Sequence, residues 1–156
     1  MQERPWEFDL RWVAVSGGFD PIHMGHIDMF REAKKYGGKL LVILNNDNWL
    51  RAKKGFVFMD QDQRKRIIES IRYVDHVIVT DHELNDPDRT VCKALESFSP
   101  DVFVNGGDRK TYNTPEVELC KRLGIKTEFI LGDRLESSSQ YFKDAMAEFE
   151  KFIQNK

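Results

Sequence analysis

The sequence predicts an α/β fold: an open five-stranded parallel sheet with helices on both faces. Short, continuous apolar runs alternate along the chain with segments of helical character. Continuous apolar strands are typical of parallel sheets, because helices cover both faces of such a sheet. No repeat, low-complexity tract or linker interrupts this alternation, so the 156 residues predict one domain, residues 1–156.

Each element follows from its own stretch of sequence. The five predicted strands are the apolar runs Trp12–Ser16, Leu40–Leu44, Val77–Thr80, Val102–Asn105 and Thr127–Ile130. The segments between them, and the one after the last strand, predict helices at His26–Tyr36, Asp60–Tyr73, Asp88–Phe98, Pro115–Leu123 and Ser138–Phe152.

Local signals mark the ends of these elements. Asp60 precedes an acidic first turn and is a typical N-cap residue. Gly37-Gly38 and Gly124 are typical helix stops. In Rossmann-like sheets of this kind, ligands bind beyond the carboxyl ends of the strands, at a switch point. The loops after the first, second and fourth strands and the start of the last helix are therefore the expected binding segments.

Composition and charge argue against several classes of protein. A formal net charge of −2 gives no basic surface of the kind that binds nucleic acid. The apolar runs are far shorter than the roughly 18 residues that a membrane span needs, and the first five residues lack the order of a secretory signal. Cys92 and Cys120 lack metal-ligand spacing, which predicts reduced thiols and a cytoplasmic setting. Asp75-His76 and Asp81-His82 lack a third ligand nearby and predict surface or loop positions.

The segment from Ser16 to His26 carries the strongest chemical signal. A predicted strand ends in Gly17-Gly18, and His23 and His26 then flank a third glycine where a helix should begin. Glycines let the backbone approach a ligand closely, and a helix start offers unpaired N–H groups that favour negative charge. Histidines three residues apart share one face of a turn, so both can reach one phosphoryl group. The alternative is a glycine turn with two structural histidines.

The nine residues from Gly18 to His26 resemble the GxFDxxHxGH signature of the cytidylyltransferase-like nucleotidyltransferases. Those enzymes join a nucleoside triphosphate to a phosphorylated substrate and release pyrophosphate. Class I aminoacyl-tRNA synthetases carry a related HxGH motif, but 156 residues are too few for a synthetase. The resemblance implies that His23 and His26 are catalytic and stabilise charge on the triphosphate. It also implies nucleotide contacts by Gly17, Gly18, Phe19, Asp20 and Gly25.

A basic segment, residues 51–55, follows the second predicted strand, and we expect it to form a loop. Composition alone favours a solvated basic loop. From residue 45 to residue 75, however, the sequence resembles bacterial glycerol-3-phosphate cytidylyltransferases without gaps. That resemblance implies a catalytic Lys53 on a mobile arm and a contact of Arg64 with the acceptor phosphate. That family has a second lysine in this loop, at the position that Gly55 occupies here. Lys54 is one residue away and would be a shifted substitute for that lysine.

The turn after the fourth predicted strand begins with Asn105 and contains a Gly-Gly-Asp sequence. Glycines at a strand end let a base or ribose lie against the backbone. The aspartate can accept from the exocyclic amino group of cytosine or of adenine, so it does not distinguish them. The turn resembles that of heptose 1-phosphate adenylyltransferases, although those enzymes commonly have a lysine before the glycines. The resemblance implies nucleotide contacts by Gly106, Gly107 and Asp108 and an acceptor-phosphate contact by Arg109.

Three hydroxyl groups stand at the start of the last predicted helix, on Ser137, Ser138 and Ser139. Serines cap helices, and beside unpaired helix N–H groups they also donate to phosphate oxygens. Their position resembles the closing Ser/Thr motif of the family, which implies that they bind the triphosphate. The glycerol phosphate enzymes have an arginine five residues before this motif. The corresponding residue in this sequence is Gly132, and Arg134 lies two residues further along the chain.

These resemblances predict a nucleotidyltransferase that uses Mg²⁺. The metal is expected to bind mainly through the triphosphate, because no carboxylate cluster predicts a protein-built site. The preferred substrates are CTP and a small polyol or sugar phosphate such as glycerol 3-phosphate. ATP with a heptose-like sugar 1-phosphate is the runner-up, and a non-catalytic nucleotide-binding module is an alternative of another class. Residues 71–76 match a segment near a two-fold interface in the resembling cytidylyltransferases, which predicts a homodimer.

Overall fold

The computed structural model describes residues 9–106, 114–130 and 138–156. The strands are β1 (Trp12–Gly17), β2 (Lys39–Leu44), β3 (His76–Val79), β4 (Val102–Gly106) and β5 (Lys126–Ile130). The helices are α1 (Met24–Ala33), α2 (Asp47–Lys54), α3 (Gln61–Glu69), α4 (Cys92–Phe98), α5 (Pro115–Leu123) and α6 (Ser138–Gln154). All the predicted strands and helices are present, and α2 is an additional helix.

The five strands form one parallel sheet with the order β3-β2-β1-β4-β5. This confirms the predicted open α/β, Rossmann-like architecture. The chain passes from β1 to β2 and β3 on one side, then returns to place β4 on the other side of β1. The strand order therefore reverses between β1 and β4. Ligands bind outside the carboxyl ends of the strands at such a switch point. In this fold the segments that follow β1, β2 and β4 lie at that edge.

An apolar core covers each face of the sheet, because successive strand residues point to opposite faces. On one face, called the α1 face, strand residues pack against α1 and α3; this core includes Val13, Val15, Val42, Phe30 and Ile68. On the other, called the α4 face, strand residues pack against α4 and α5; this core includes Ala14, Leu41, Ile43, Phe103, Leu95 and Leu119. Since β2 is buried on both faces, its sequence is a continuous apolar run.

Helix ends follow the local signals in part. Asp60 accepts from the backbone N–H of Gln63 at 2.9 Å and caps α3, as predicted. Gly124 ends α5 in the left-handed conformation, also as predicted. α1 instead ends at Ala33, and a 3-10 turn carries the chain on to Gly37. Within the described ranges, no helix combines the length and apolar character needed to cross a bilayer.

The two cysteines are free thiols, as the sequence predicts. Cys92 is half-buried and Cys120 is buried. Burial raises the pKa of both thiols, that of Cys120 to about 11. Since the thiolate is the reactive form of cysteine, both side chains are poor nucleophiles near neutral pH.

Candidate functional site

The turn between β1 and α1 is built on a buried phenylalanine. Phe19 has a left-handed backbone conformation with φ of 51°, and its side chain lies in the core. The ring covers Gly17 so closely that an added Cβ there would lie 2.8 Å from it. The ring also meets Phe30 and His26 edge to face, with centroids 5.3 and 4.9 Å apart. The core holds the Phe19 side chain, so only the backbone of Phe19 remains for the predicted nucleotide contact.

His23 and His26 fix the first turn of α1 through their Nδ1 atoms. Nδ1 of His23, the N-cap residue, accepts from the N–H of Gly25 at 3.1 Å. Nδ1 of His26 accepts in turn from the N–H of His23 at 3.2 Å. The rings stack with centroids 3.7 Å apart. An added Cβ on Gly25 would lie 2.9 Å from the His23 ring, so packing requires a glycine between the histidines.

These two bonds determine which ring nitrogen carries hydrogen. A backbone N–H is the donor in each, so Nδ1 carries no proton and the neutral ring holds its hydrogen on Nε2. Each histidine thus divides its nitrogens between two tasks, since Nδ1 holds the helix start and Nε2–H is a donor suited to a phosphate oxygen. The N–H of Gly25 is already bonded to His23, so this amide of the helix start is not the anion-binding group that the sequence suggests.

Asp20 is an anchor inside the protein. Its side chain is fully buried, and its carboxylate accepts from the N–H groups of Phe58 and Met59 at 2.8 and 2.9 Å. Its carbonyl oxygen accepts from Nζ of Lys54 at 3.0 Å. Asp20 therefore ties the β1–α1 turn to the end of α2 and to the segment that precedes α3. A nucleotide contact by the Asp20 carboxylate would have to compete with these bonds.

Arg64, for which the resemblance implies a contact with the acceptor phosphate, is buried. Its side chain is 1% exposed. Nη1 donates to the carbonyls of Gly18 and Asn45, both at 2.7 Å, and Nε donates to that of Met59 at 2.8 Å. Nη2 donates to the carboxylate of Asp47 at 2.7 Å. The guanidinium therefore joins the ends of β1 and β2 to α2 and α3, and it positions the turn that carries the histidines.

The basic segment after β2 is a helix, and the predicted loop with its mobile arm was wrong. The side chain of Asn46 caps α2 by accepting from the N–H of Trp49 at 3.0 Å. Trp49 and Leu50 face inward, and the helix ends where Gly55 takes a φ of 87°. Such a backbone angle is one that glycine adopts without a steric cost. Lys53 lies in the last turn of this helix.

The two lysines of α2 have different surroundings. Lys53 is exposed and places Nζ 4.7 Å from the centroid of the Trp49 ring, within the range of a cation–π contact. Trp49 packs against Gly18, so Lys53 lies one side chain away from the β1–α1 turn. Lys54 is half-buried and contacts the turn directly through the Asp20 carbonyl, and burial lowers its pKa.

The start of α6 lies against the same turn. Oγ of Ser138 donates to the carbonyl of Pro21 at 2.7 Å, and the ring of Tyr141 lies 5.3 Å from that of His23. Ser139, the next residue of the predicted serine motif, is exposed. Two segments separated by more than 100 residues, each singled out in the sequence, therefore meet at the carboxyl end of β1.

An aromatic cluster holds α6 in this place. Phe142 meets Phe56 and Phe58 edge to face, with centroids 4.9 and 4.8 Å apart. The N–H of Phe58 is bonded to Asp20, so one short segment contacts both the turn and the helix. The alternation of Phe56 and Phe58 is the sequence signal for this contact, although it names no partner.

Part of the predicted site lies outside the described residues. These positions are Gly107, Asp108, Arg109 and Ser137. Gly106 is the last residue of β4. The Gly-Gly-Asp turn therefore begins at the carboxyl edge of the sheet, on the strand next to β1.

His82 lies in the loop after β3, as the sequence predicts, but its side chain is buried and not at the surface. Its Nδ1 lies 2.8 Å from Oγ1 of Thr80, and its Nε2 lies 2.9 Å from the carbonyl of Thr90. A carbonyl only accepts, so Nε2 carries the hydrogen of the ring. The carbonyl of His82 accepts from the amides of Asn46 and Asn48. The residue fastens the chain after β3 to the start of α2.

Known proteins resemble this chain over most of its length. A family model described as cytidylyltransferase-like matches residues 14–149. The bifunctional protein HldE of Koribacter versatilis is 35% identical over 102 residues, which are 64% of this chain and 20% of that protein. The FAD synthase of Ferroglobus placidus is 32% identical over 121 residues, 78% and 75% of the two chains. The glycerol-3-phosphate cytidylyltransferase of Staphylococcus aureus is 37% identical over 99 residues, 64% and 71% of the two chains.

A solved structure has a similar fold. It is that of the lipopolysaccharide core biosynthesis protein from Thermoplasma volcanium, with a TM-score of 0.61 and 28% sequence identity. The superposition covers 76% of this chain and 93% of that one.

The buried guanidinium gives a first testable prediction. Arg64→Met leaves three carbonyls and the Asp47 carboxylate without their donor, so we expect the free energy of unfolding to fall by about 3–5 kcal/mol. Urea denaturation measures this change. Arg66→Met is the matched control, because Arg66 is exposed on the same helix. A loss below about 1 kcal/mol for Arg64→Met would contradict the positioning role.

Proposed function

The chain belongs to the cytidylyltransferase-like family of nucleotidyltransferases, and on that premise we propose that it transfers the cytidylyl group of CTP to a small phosphorylated polyol or sugar. The observation that carries the proposal is the pair of stacked histidines at the carboxyl end of β1. Nδ1 of each ring accepts a hydrogen bond from a backbone N–H group. Because Nδ1 accepts in each ring, Nε2–H is the hydrogen-bond donor of both histidines, and the His23 ring lies beside the start of α6.

The proposed reaction is a displacement at the α-phosphorus of the nucleotide. A phosphate oxygen of the acceptor forms a bond to the α-phosphorus, the bond from that phosphorus to the bridging oxygen breaks, and pyrophosphate leaves with the electron pair. Negative charge then grows on the equatorial and leaving oxygens. The Nε2–H groups of His23 and His26 donate to these oxygens, and their fixed positions avoid a reorganisation cost during the reaction.

We propose that Mg²⁺ accompanies the triphosphate. Within the described parts of the chain, no group of three or more His, Cys, Asp or Glu side chains could hold a metal ion. The carboxylate of Asp20 at the turn is bonded to two backbone N–H groups, and that of Asp47 is bonded to Arg64. Phosphate oxygens and water are the ligands that fit such surroundings. The metal supplies charge neutralisation on the phosphates when bound.

ATP is the alternative nucleotide. The relatives include a protein named as a cytidylyltransferase, but also FAD synthases and HldE proteins. We therefore propose incubating the protein with each nucleoside triphosphate, Mg²⁺ and a panel that includes glycerol 3-phosphate, sugar 1-phosphates and flavin mononucleotide. Mass spectrometry identifies the product, and pyrophosphate release gives the rate. A non-catalytic nucleotide-binding module would bind a triphosphate without releasing pyrophosphate from any pair.

The two tasks of the histidines can be separated by substitution. In His23→Asn and His26→Asn, the amide oxygen takes the place of Nδ1 and keeps the helix start bonded, whereas the Nε2–H donor is lost. We expect turnover to fall about 100-fold or more, with only a modest drop in the thermal midpoint that comes from the lost ring contacts. Steady-state pyrophosphate release and thermal unfolding measure the two effects. Near-normal turnover in His26→Asn would contradict the catalytic assignment.

The two lysines of α2 are expected to differ as well. We propose that Lys53 supports the transition state more than nucleotide binding, so Lys53→Met lowers kcat and leaves the nucleotide Kd within several-fold. Lys54→Met removes the bond to the Asp20 carbonyl and lowers the thermal midpoint together with kcat. Calorimetry, turnover and thermal unfolding distinguish them. A fully stable but inactive Lys54→Met, with Lys53→Met active, would transfer the catalytic role to Lys54.

We also propose a homodimer that involves residues 71–76. Tyr73 is half-buried against its own core, and Arg72 lies over its ring at 5.8 Å, so this segment presents a cation and an aromatic edge near its surface. A second copy can bury both. Light scattering at micromolar protein should give twice the 18.3 kDa of one chain. A mass of one chain at that concentration would reject the dimer.

A further inference from the structure

Among the described residues, two buried side-chain amides at the carboxyl edge of the sheet each have an atom without a hydrogen-bond partner. Asn45 is 4% exposed and Asn105 is 7% exposed. Within the part of the chain that the structure describes, Oδ1 of Asn45 and Nδ2 of Asn105 make no hydrogen bond. The backbone of Asn45, in contrast, is bonded on both sides, to Gly17 and to Arg64. Folded proteins rarely leave buried polar side chains unsatisfied, so these two need an explanation.

The two amides belong to one face of the sheet. Asn45 continues the alternation of Leu41 and Ile43, and Asn105 continues that of Phe103, so both lie on the α4 face. Ser16, which is half-buried on β1, pairs with Ile43 and lies between them. Two strand spacings put the amides on the order of 10 Å apart across β1. That distance accommodates a short carbon chain or a sugar ring.

The position is complementary to that of the histidines. Phe19, which packs against His26, belongs to the core of the α1 face. The histidines and the two asparagines therefore occupy opposite faces of the same strand ends. A substrate whose phosphate reaches the histidines can extend its remaining atoms across the edge of the sheet, toward the asparagines.

The chemistry of the two unsatisfied atoms limits what binds there. Oδ1 of Asn45 requires a donor, and Nδ2 of Asn105 requires an acceptor. A phosphate or carboxylate only accepts, so it would satisfy Nδ2 and leave Oδ1 unpaired. A hydroxyl group both donates and accepts, and neighbouring hydroxyls on a polyol or sugar would satisfy the two amides together.

We propose that Asn45 and Asn105 are specificity-determining residues that bind hydroxyl groups of the acceptor. This inference rests on the proposed nucleotidyl transfer and extends it, because it assigns the acceptor's hydroxyls to named side chains. Phosphoethanolamine has an ammonium group, which only donates, in place of hydroxyls, so it leaves Nδ2 of Asn105 unpaired and is a poor substrate. The ribose of the nucleotide is the competing occupant, and the experiment distinguishes the two.

The test uses Asn45→Leu and Asn105→Leu with two pairs of probes. These are glycerol 3-phosphate with 3-hydroxypropyl phosphate, and glucose 1-phosphate with 2-deoxyglucose 1-phosphate; each pair differs by one hydroxyl. Each variant should raise the acceptor KM about 10-fold or more and change the triphosphate KM less than threefold. The wild type should prefer the probe with the extra hydroxyl, and the variants should lose that preference. Calorimetric binding of the same probes gives the comparison independently of turnover.

Asn46→Leu is the matched control for folding. Asn46 is equally buried, but its Nδ2 donates to the His82 carbonyl and its Oδ1 accepts from Trp49. Asn46→Leu should therefore lower the thermal midpoint, whereas the two proposed variants should keep or raise it, because each removes an unsatisfied polar atom. A comparable loss of stability in Asn45→Leu would show a structural role and overturn the proposal.

The remaining outcomes are also decisive. A rise in the triphosphate KM alone would show that the amides bind the nucleotide and not the acceptor substrate. Unchanged KM values would show that they bind neither substrate, and either result would overturn the proposal. Turnover of phosphoethanolamine as fast as that of glycerol 3-phosphate would also overturn the inference. Absence of pyrophosphate release from the wild type with every pair refutes the proposed function instead, and calorimetry with the same variants then still decides whether the amides bind hydroxyls.

Discussion

The site depends on one buried cation. Just beyond the ends of β1 and β2, the guanidinium of Arg64 donates to the carbonyls of Gly18 and Asn45, and it also donates to the carbonyl of Met59. Such a cation is costly to bury unless it is paired, and Asp47 supplies the balancing charge. Because these acceptors belong to segments that lead into α1, α2 and α3, their relative positions are set by one planar group.

The remaining anchors make the histidine turn rigid. Asp20 binds two backbone N–H groups from the segment before α3, Lys54 binds the Asp20 carbonyl, and Ser138 binds the next carbonyl along the chain. Fixed donors stabilise a transition state better than mobile ones, because no energy is spent on reorienting them during the reaction. Each histidine ring is fixed in the same way, since Nδ1 maintains the helix start, and in the proposed reaction Nε2–H donates to the phosphate.

Local sequence patterns were sufficient to predict the sheet and the order of its strands and helices along the chain, because an apolar run or a capping residue is recognised from a few neighbouring positions. They were insufficient for α2, since eight residues with two inward apolar side chains show no clear helical period. They were also insufficient for Arg64 and Asp20, whose partners lie up to 46 and 39 residues away in sequence. A basic residue on a helix looks the same in sequence whether it meets solvent or buried carbonyls, and only the fold distinguishes these surroundings.

In the proposed function, the division of the sheet edge into two faces separates stabilisation of the phosphate from recognition of the acceptor substrate. Stabilising charge at the α-phosphorus requires donors near that atom only, so the histidine turn on the α1 face is indifferent to the base and to the acceptor's carbon skeleton. Discrimination between acceptors then falls to side chains that touch the atoms beyond the phosphate. Within the described residues, Asn45 and Asn105 each have an unsatisfied polar atom on the opposite face. In the proposed function these atoms select for a hydroxyl, because an analogue without it would leave them unpaired.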